Sequence, residues 1–138
     1  MNAYLDASVI LRIVFGEKGR LAEWSRIGLA VSSEIVRVEC LRTVDRMRIR
    51  VPLDDDEVAA RRQALCDVFD RMDLVALSPP VLERASQPFP TLLGTIDAIH
   101  LSSALLWRQS GESLTLCTHD VELARAARAM GFATIGCE

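Results

Sequence analysis

Five short apolar runs, separated by longer stretches of helical periodicity, constrain this chain more than any other feature. The runs are Ala3-Tyr4-Leu5-Asp6, Leu29-Ala30-Val31-Ser32, Leu74-Val75-Ala76-Leu77, Leu114-Thr115-Leu116-Cys117 and Ala133-Thr134-Ile135. Runs this short and this continuous suit strands covered on both faces. Their alternation with helices predicts an open, mostly parallel α/β sheet of five strands flanked by helices. The intervening patterns predict helices at 8–14, 21–27, 33–47, 54–70, 95–109 and 121–130, with a short one opened by Ser78-Pro79-Pro80. The 33–47 pattern carries one apolar stripe, Val36, Cys40, Val44 and Met47, at the spacing of one helix face. The acidic start Asp54-Asp55-Asp56-Glu57 suits the positive end of a helix dipole, and Gly131 suits a left-handed helix cap. Pro88 and Pro90 make 87–94 a loop.

At 138 residues, half of them hydrophobic, the chain is long and apolar enough for one domain over 1–138 with a real core. No apolar run approaches the roughly 20 residues that span a bilayer, so no membrane association is expected. The N-terminus has no basic region and reaches Asp6 too early for a signal peptide, which predicts a soluble, cytoplasmic protein. Cys40, Cys66, Cys117 and Cys137 form no C-x-x-C pair and the chain has two histidines, a poor set for zinc. The cysteines read as small hydrophobes, with Cys137 as an exposed free thiol.

In a parallel α/β sheet, ligands gather at the carboxyl ends of the strands. Asp6 closes the first strand and Asp120 follows the fourth. Asp97 lies in the first turn of the 95–109 helix, and helices run opposite to the strands, so it falls at the same edge. Glu39 lies six residues into its helix from Ser33, about 9 Å at ~1.5 Å per residue, and flanks the apolar stripe. Each acid also has a structural reading. Asp6 or Ser8 suits a cap for the next helix, Asp120 a cap at Val121, Asp97 the helix dipole, and Glu39 a half-exposed helix position. Four carboxylates at one partly buried edge nonetheless repel and raise one another's pKa. A divalent cation removes that cost, and an oxygen-only rim favours Mg²⁺, with Mn²⁺ as substitute, over zinc. Such a site suits metal-assisted phosphoryl chemistry by an activated water.

Four segments then stand out in order: Tyr4-Leu5-Asp6-Ala7-Ser8, Glu39 within 33–39, Asp97-Ala98-Ile99-His100-Leu101 and Thr118-His119-Asp120. Together, from about Ala3 to Ile135, they resemble the PIN domain, and in particular the VapC toxins of bacterial toxin–antitoxin pairs. The stretch 120–131 is also similar to the usual end of that family. The resemblance implies a single PIN-like domain and a Mg²⁺-dependent endoribonuclease that cuts a structured cellular RNA. It also implies a homodimer neutralised by a VapB-type antitoxin. Carried across, Asp6 and Asp97 would be the central metal ligands. Asp120 and Glu39 would complete the site directly or through waters, with Ser8 and Thr118 orienting ligands by hydrogen bonds. His119 stands where an aromatic residue or asparagine is common in the family, and its side chain is expected to point away from the metal.

His100 shares a helix face with Asp97 and reads as a packed, hydrogen-bonded residue behind the ligands rather than a general base. Although the net charge is −3, five arginines fall between Arg37 and Arg50, and Lys18 is the only lysine. Arg12, Arg37, Arg42 and Arg46 are therefore candidates to hold an RNA backbone, a contact that fades with salt. Trp24, Val58, Leu65 and Phe69 fit either the core or a partner groove. The alternatives are a PIN fold kept only for binding, or another acidic-site domain such as a phosphorelay receiver. The receiver reading lacks the acidic pair after the first strand and the lysine near the last.

Overall fold

The computed structural model describes residues 1–137. The apolar runs become β1 (Asn2–Leu5), β2 (Leu29–Ser33), β3 (Asp73–Val75), β4 (Thr115–Cys117) and β5 (Ala133–Ile135). They pair in the order β3-β2-β1-β4-β5, and every pairing is parallel. The chain therefore builds outward from β1 to one edge and returns across it to build the other, which makes the carboxyl ends of β1 and β4 the switch point.

Helices α1 (Ala7–Val14), α2 (Ile35–Arg50), α3 (Asp55–Phe69), α4 (Pro79–Ala85), α5 (Thr95–Arg108) and α6 (Val121–Ala129) cover the two faces. Alternation along β1 sorts the core. Ala3 and Leu5 pack with Val9, Ile10, Val36, Cys40, Val44, Leu65 and Phe69 from α1, α2 and α3. Tyr4 packs on the other face with Leu101 and Ala104 of α5 and Leu123, Ala126 and Ala127 of α6. Leu65 and Phe69 are thus core, Val58 is packed against it half-buried, and Trp24 lies at the surface.

Several boundaries differ from expectation for physical reasons. The 21–27 stretch is not an α-helix but a 3-10 turn at Ala22–Arg26 with no side-chain cap and no buried residue, since so short a segment without an apolar face has nothing to nucleate it. β3 sits earlier than 74–77, because its register with Val31–Ser33 uses Asp73–Val75. Leu77 turns away instead, its amide donating to the Glu34 carboxylate at 3.2 Å. α2 runs past Met47 to Arg50 and stops at Val51, extended at φ −119°, ψ 127° ahead of Pro52. Cys137 is half-buried rather than exposed. Gly131 follows α6 at φ +83°, the left-handed cap its position suggests. Among the described residues no helix is long and apolar enough to cross a membrane.

Candidate active site

Asp6 stands at the switch point, immediately after β1, and is 5 % exposed. One oxygen, Oδ1, accepts from Val9 N at 3.2 Å, capping α1, and from Ser8 Oγ at 2.6 Å. The other, Oδ2, accepts from Thr118 Oγ1 at 2.5 Å. Each hydroxyl is itself fixed from behind: Ser8 Oγ accepts from His119 N at 3.0 Å, and Thr118 Oγ1 from Asp120 N at 2.9 Å. Two hydroxyls, one following β1 and one following β4, therefore clamp Asp6 between them, and a carboxyl group held by several donors keeps one orientation. Asp120 is exposed and caps α6 through Oδ1, which accepts from Glu122 N at 2.8 Å and Leu123 N at 3.0 Å. The helix-cap readings of Asp6 and Asp120 hold, and they orient both carboxylates at this edge.

α5 and α2 bring the other two acids. Asp97 is half-buried in the first turn of α5. One turn later, His100 is 1 % exposed, and its Nε2 hydrogen-bonds Oε1 of Glu39 on α2. Its Nδ1 lies 2.8 Å from the Tyr4 hydroxyl on β1, the rings meeting edge to face. Burial and then the Asp120 charge raise the Asp97 carboxyl to about 6, with His100 partly opposing and Asp6 and Glu39 adding to the rise. The four acids thus share one electrostatic field. Burial likewise pushes the Tyr4 phenol up. It also pushes up the Cys40 thiol, and lifts the Cys117 thiol to about 12, so neither sulfur is a thiolate near neutrality.

Beside the acids, a cleft of about 480 Å³ runs between α1 and α2, lined by Ser8, Leu11, Val38, Glu39, Arg42 and Arg46. Arg12 lines the adjoining hollow with Phe15 and Met47 and donates to Gly19 O at 3.4 Å. Arg37 is elsewhere, its guanidinium 5.4 Å from the centre of the Phe69 ring. The His119 ring turns to β5, with Nδ1 donating to Gly136 O at 2.8 Å.

The PIN domain family profile matches residues 3–129, from β1 to the end of α6. The chain belongs to the PIN-domain family. It is similar to Ribonuclease VapC46 of Mycobacterium tuberculosis, 34 % identical over 96 % of this chain and 95 % of that one. Ribonuclease VapC47 of Mycobacterium tuberculosis is 28 % identical over 95 % of this chain and 93 % of its own. The crystal structure of PAE2754 from Pyrobaculum aerophilum shares the fold at a TM-score of 0.57 and 20 % identity, covering 97 % of this chain and 83 % of that one.

Among the described residues of this PIN domain, no three His, Cys, Asp or Glu side chains stand close enough to hold one ion by themselves. A hard ion that keeps its waters needs only one or two direct carboxylates. The donor set fits such an ion: oxygen ligands only, with the Asp97 carboxyl raised by its acidic neighbours and by burial. The residue that pattern reading missed is Tyr4. It is the only tyrosine of the chain and lies fully buried in a strand, and a buried phenol needs a partner. That requirement was the available signal.

Proposed function

We propose that this PIN domain is a Mg²⁺-dependent endoribonuclease, the toxin of a VapB-partnered pair, acting as a cytoplasmic homodimer on a structured RNA. What carries the reading is the meeting of Asp6, Glu39, Asp97 and Asp120 at the carboxyl edge of the sheet, at its switch point, within one electrostatic field. The two ribonuclease-named relatives, aligned over nearly the whole chain, support the reaction class. Asp6 and Asp97 would hold the ion, with Asp120 and Glu39 reaching it directly or through water. Bound there, Mg²⁺ would supply Lewis acidity, making water a better nucleophile and neutralising charge on the phosphoryl oxygens.

The protein's own part is orientation. Ser8 and Thr118 keep the Asp6 carboxylate turned one way. Neither hydroxyl is available as a nucleophile, since each already donates to Asp6, and the buried thiols are protonated. In this reading water is the attacking group, and cleavage would leave a 3′-hydroxyl and a 5′-phosphate, whereas attack by the RNA's own 2′-hydroxyl would leave a 5′-hydroxyl. Arg42 and Arg46, beside Glu39 in the cleft, suit the RNA backbone. Arg12 can extend that track through the adjoining hollow. Arg37, lying over Phe69, suits it least.

The test is incubation of purified protein, freed of any antitoxin, with total host RNA, in Mg²⁺, in Mn²⁺ and in EDTA, beside Asp97→Asn. Discrete fragments with 5′-phosphates that require the metal and vanish in the variant are expected. Cleavage that persists in EDTA would overturn the metal-dependent reading.

A further inference from the structure

A buried histidine bonded on both nitrogens is usually a matter of core satisfaction. Here the two partners make it directional. A phenol hydroxyl can donate or accept, whereas a carboxylate is acceptor-only. Nε2–H therefore donates to Oε1 of Glu39, and the Tyr4 hydroxyl holds the other ring nitrogen, Nδ1, at 2.8 Å. Tyr4 is fully buried and His100 nearly so, while the Glu39 side chain is 26 % exposed and lines the cleft with Ser8. The order therefore runs from the core outward, from β1 through α5 to α2, and ends on an acid at the edge where Asp97 stands one turn before His100 on the same helix face.

We propose that Tyr4 and His100 are positioning residues for the metal centre: the phenol holds the ring through Nδ1, and the ring's Nε2–H holds one oxygen of Glu39, leaving its other oxygen for the ion or its waters. The inference rests on the metal-dependent reading above. It assigns His100 no proton transfer to substrate and makes Tyr4, not Glu39 alone, part of what sets the site. A backing donor of this kind typically changes metal affinity about 10- to 100-fold when removed.

Two measurements on the purified chain test it. In metal-free protein, a long-range proton–nitrogen correlation spectrum is expected to show a proton on Nε2 of His100, the donor to Glu39. Mn²⁺ titration by calorimetry is expected to show about tenfold weaker binding in His100→Ala and several-fold weaker binding in Tyr4→Phe. His100→Gln, whose amide N–H reaches where Nε2–H was, is expected to recover most of the affinity. Thermal melts establish that each variant is folded, and Tyr4→Phe, which removes one oxygen and leaves the ring in place, covers the case in which His100→Ala does not fold.

A wild-type His100 ring without a proton on Nε2 would overturn the proposal. So would Mn²⁺ affinities unchanged across folded variants while Asp97→Asn loses binding. A wild type that binds no Mn²⁺ would instead overturn the metal-dependent reading, and the relay with it.

Discussion

Asp6 accepts from a backbone amide and two hydroxyls, and the Thr118 hydroxyl serves both Asp6 and the Asp120 amide. Replacing Thr118 with Val keeps its shape and removes both bonds. The expected cost is about 1–3 kcal/mol, because the buried Asp6 oxygen loses its partner. Urea unfolding of Thr118→Val against wild type checks it. Gly136 stands at φ +102°, and a Cβ there would lie 2.4 Å from Thr118 O. Gly136→Ala should cost more than the roughly 1–2 kcal/mol of a left-handed residue, because backbone must also move. Reduced cleavage along with lower stability is expected, since the moved strand end carries Thr118. Asp97 makes stability pH-dependent. Its folded pKa, about 6, lies above the ordinary 3.8, so the folded state binds the proton more tightly. In EDTA, stability should therefore fall as pH rises from about 4 through 6, and Asp97→Asn should lack that part of the slope. Melting temperatures of both proteins across this window are the check, and parallel curves would refute the assignment.

Among the elements, α2 does two jobs on two faces. Val36, Cys40 and Val44 are fully buried, while Arg42 and Arg46 line the cleft. The double change Arg42→Ala with Arg46→Ala should therefore leave the fold intact and weaken RNA binding. With two fewer phosphates neutralised, the plot of log affinity against log salt should become shallower by about 1.4 for single-stranded RNA. A fluorescence-anisotropy series in salt measures this, and an unchanged slope would remove the pair from the RNA track. α3 contributes packing instead. Phe69 closes the core beneath β1 and β2 at 2 % exposure, so Phe69→Ala is expected to cost about 3–5 kcal/mol in a denaturant melt.

For the molecule as a whole, the sheet order β3-β2-β1-β4-β5 is what assembles the site. The switch point places β1 beside β4, and so Asp6 beside Thr118, although 112 positions separate them in the chain. α5 and α2, which cover opposite faces through Leu101 and Val36, meet at the same edge through His100 and Glu39. Repulsion among the acids works against the fold, so an ion that binds only the folded state should stabilise it. Mg²⁺ at 100 times its Kd is expected to add about 2.7 kcal/mol, and EDTA to remove it. Calorimetric melts of wild type and Asp97→Asn, with and without Mg²⁺, test this; a response of equal size in both would place the ion elsewhere.

How much was legible in one dimension follows from the range of the forces. Strands and helices were readable because apolar periodicity reports which face each element must bury, a local property of Ala3–Leu5 or of Val36, Cys40 and Val44. The edge on which Asp6, Asp97 and Asp120 fall was readable too, because strand and helix direction alternate in a parallel sheet. Segments without a strong face went astray: the 3-10 turn at Ala22–Arg26 lacks an apolar stripe, and β3 takes its limits from the register of its neighbour β2. Arg37 and Arg42 look alike in sequence, yet one lies over Phe69 and the other in the cleft. Tyr4 offered only the need of a buried phenol for a partner. That the partner is His100, and that His100 passes the contact to Glu39, was decided by tertiary structure alone, because a hydrogen bond requires two groups within about 3 Å and no local rule brings positions 4, 39 and 100 together.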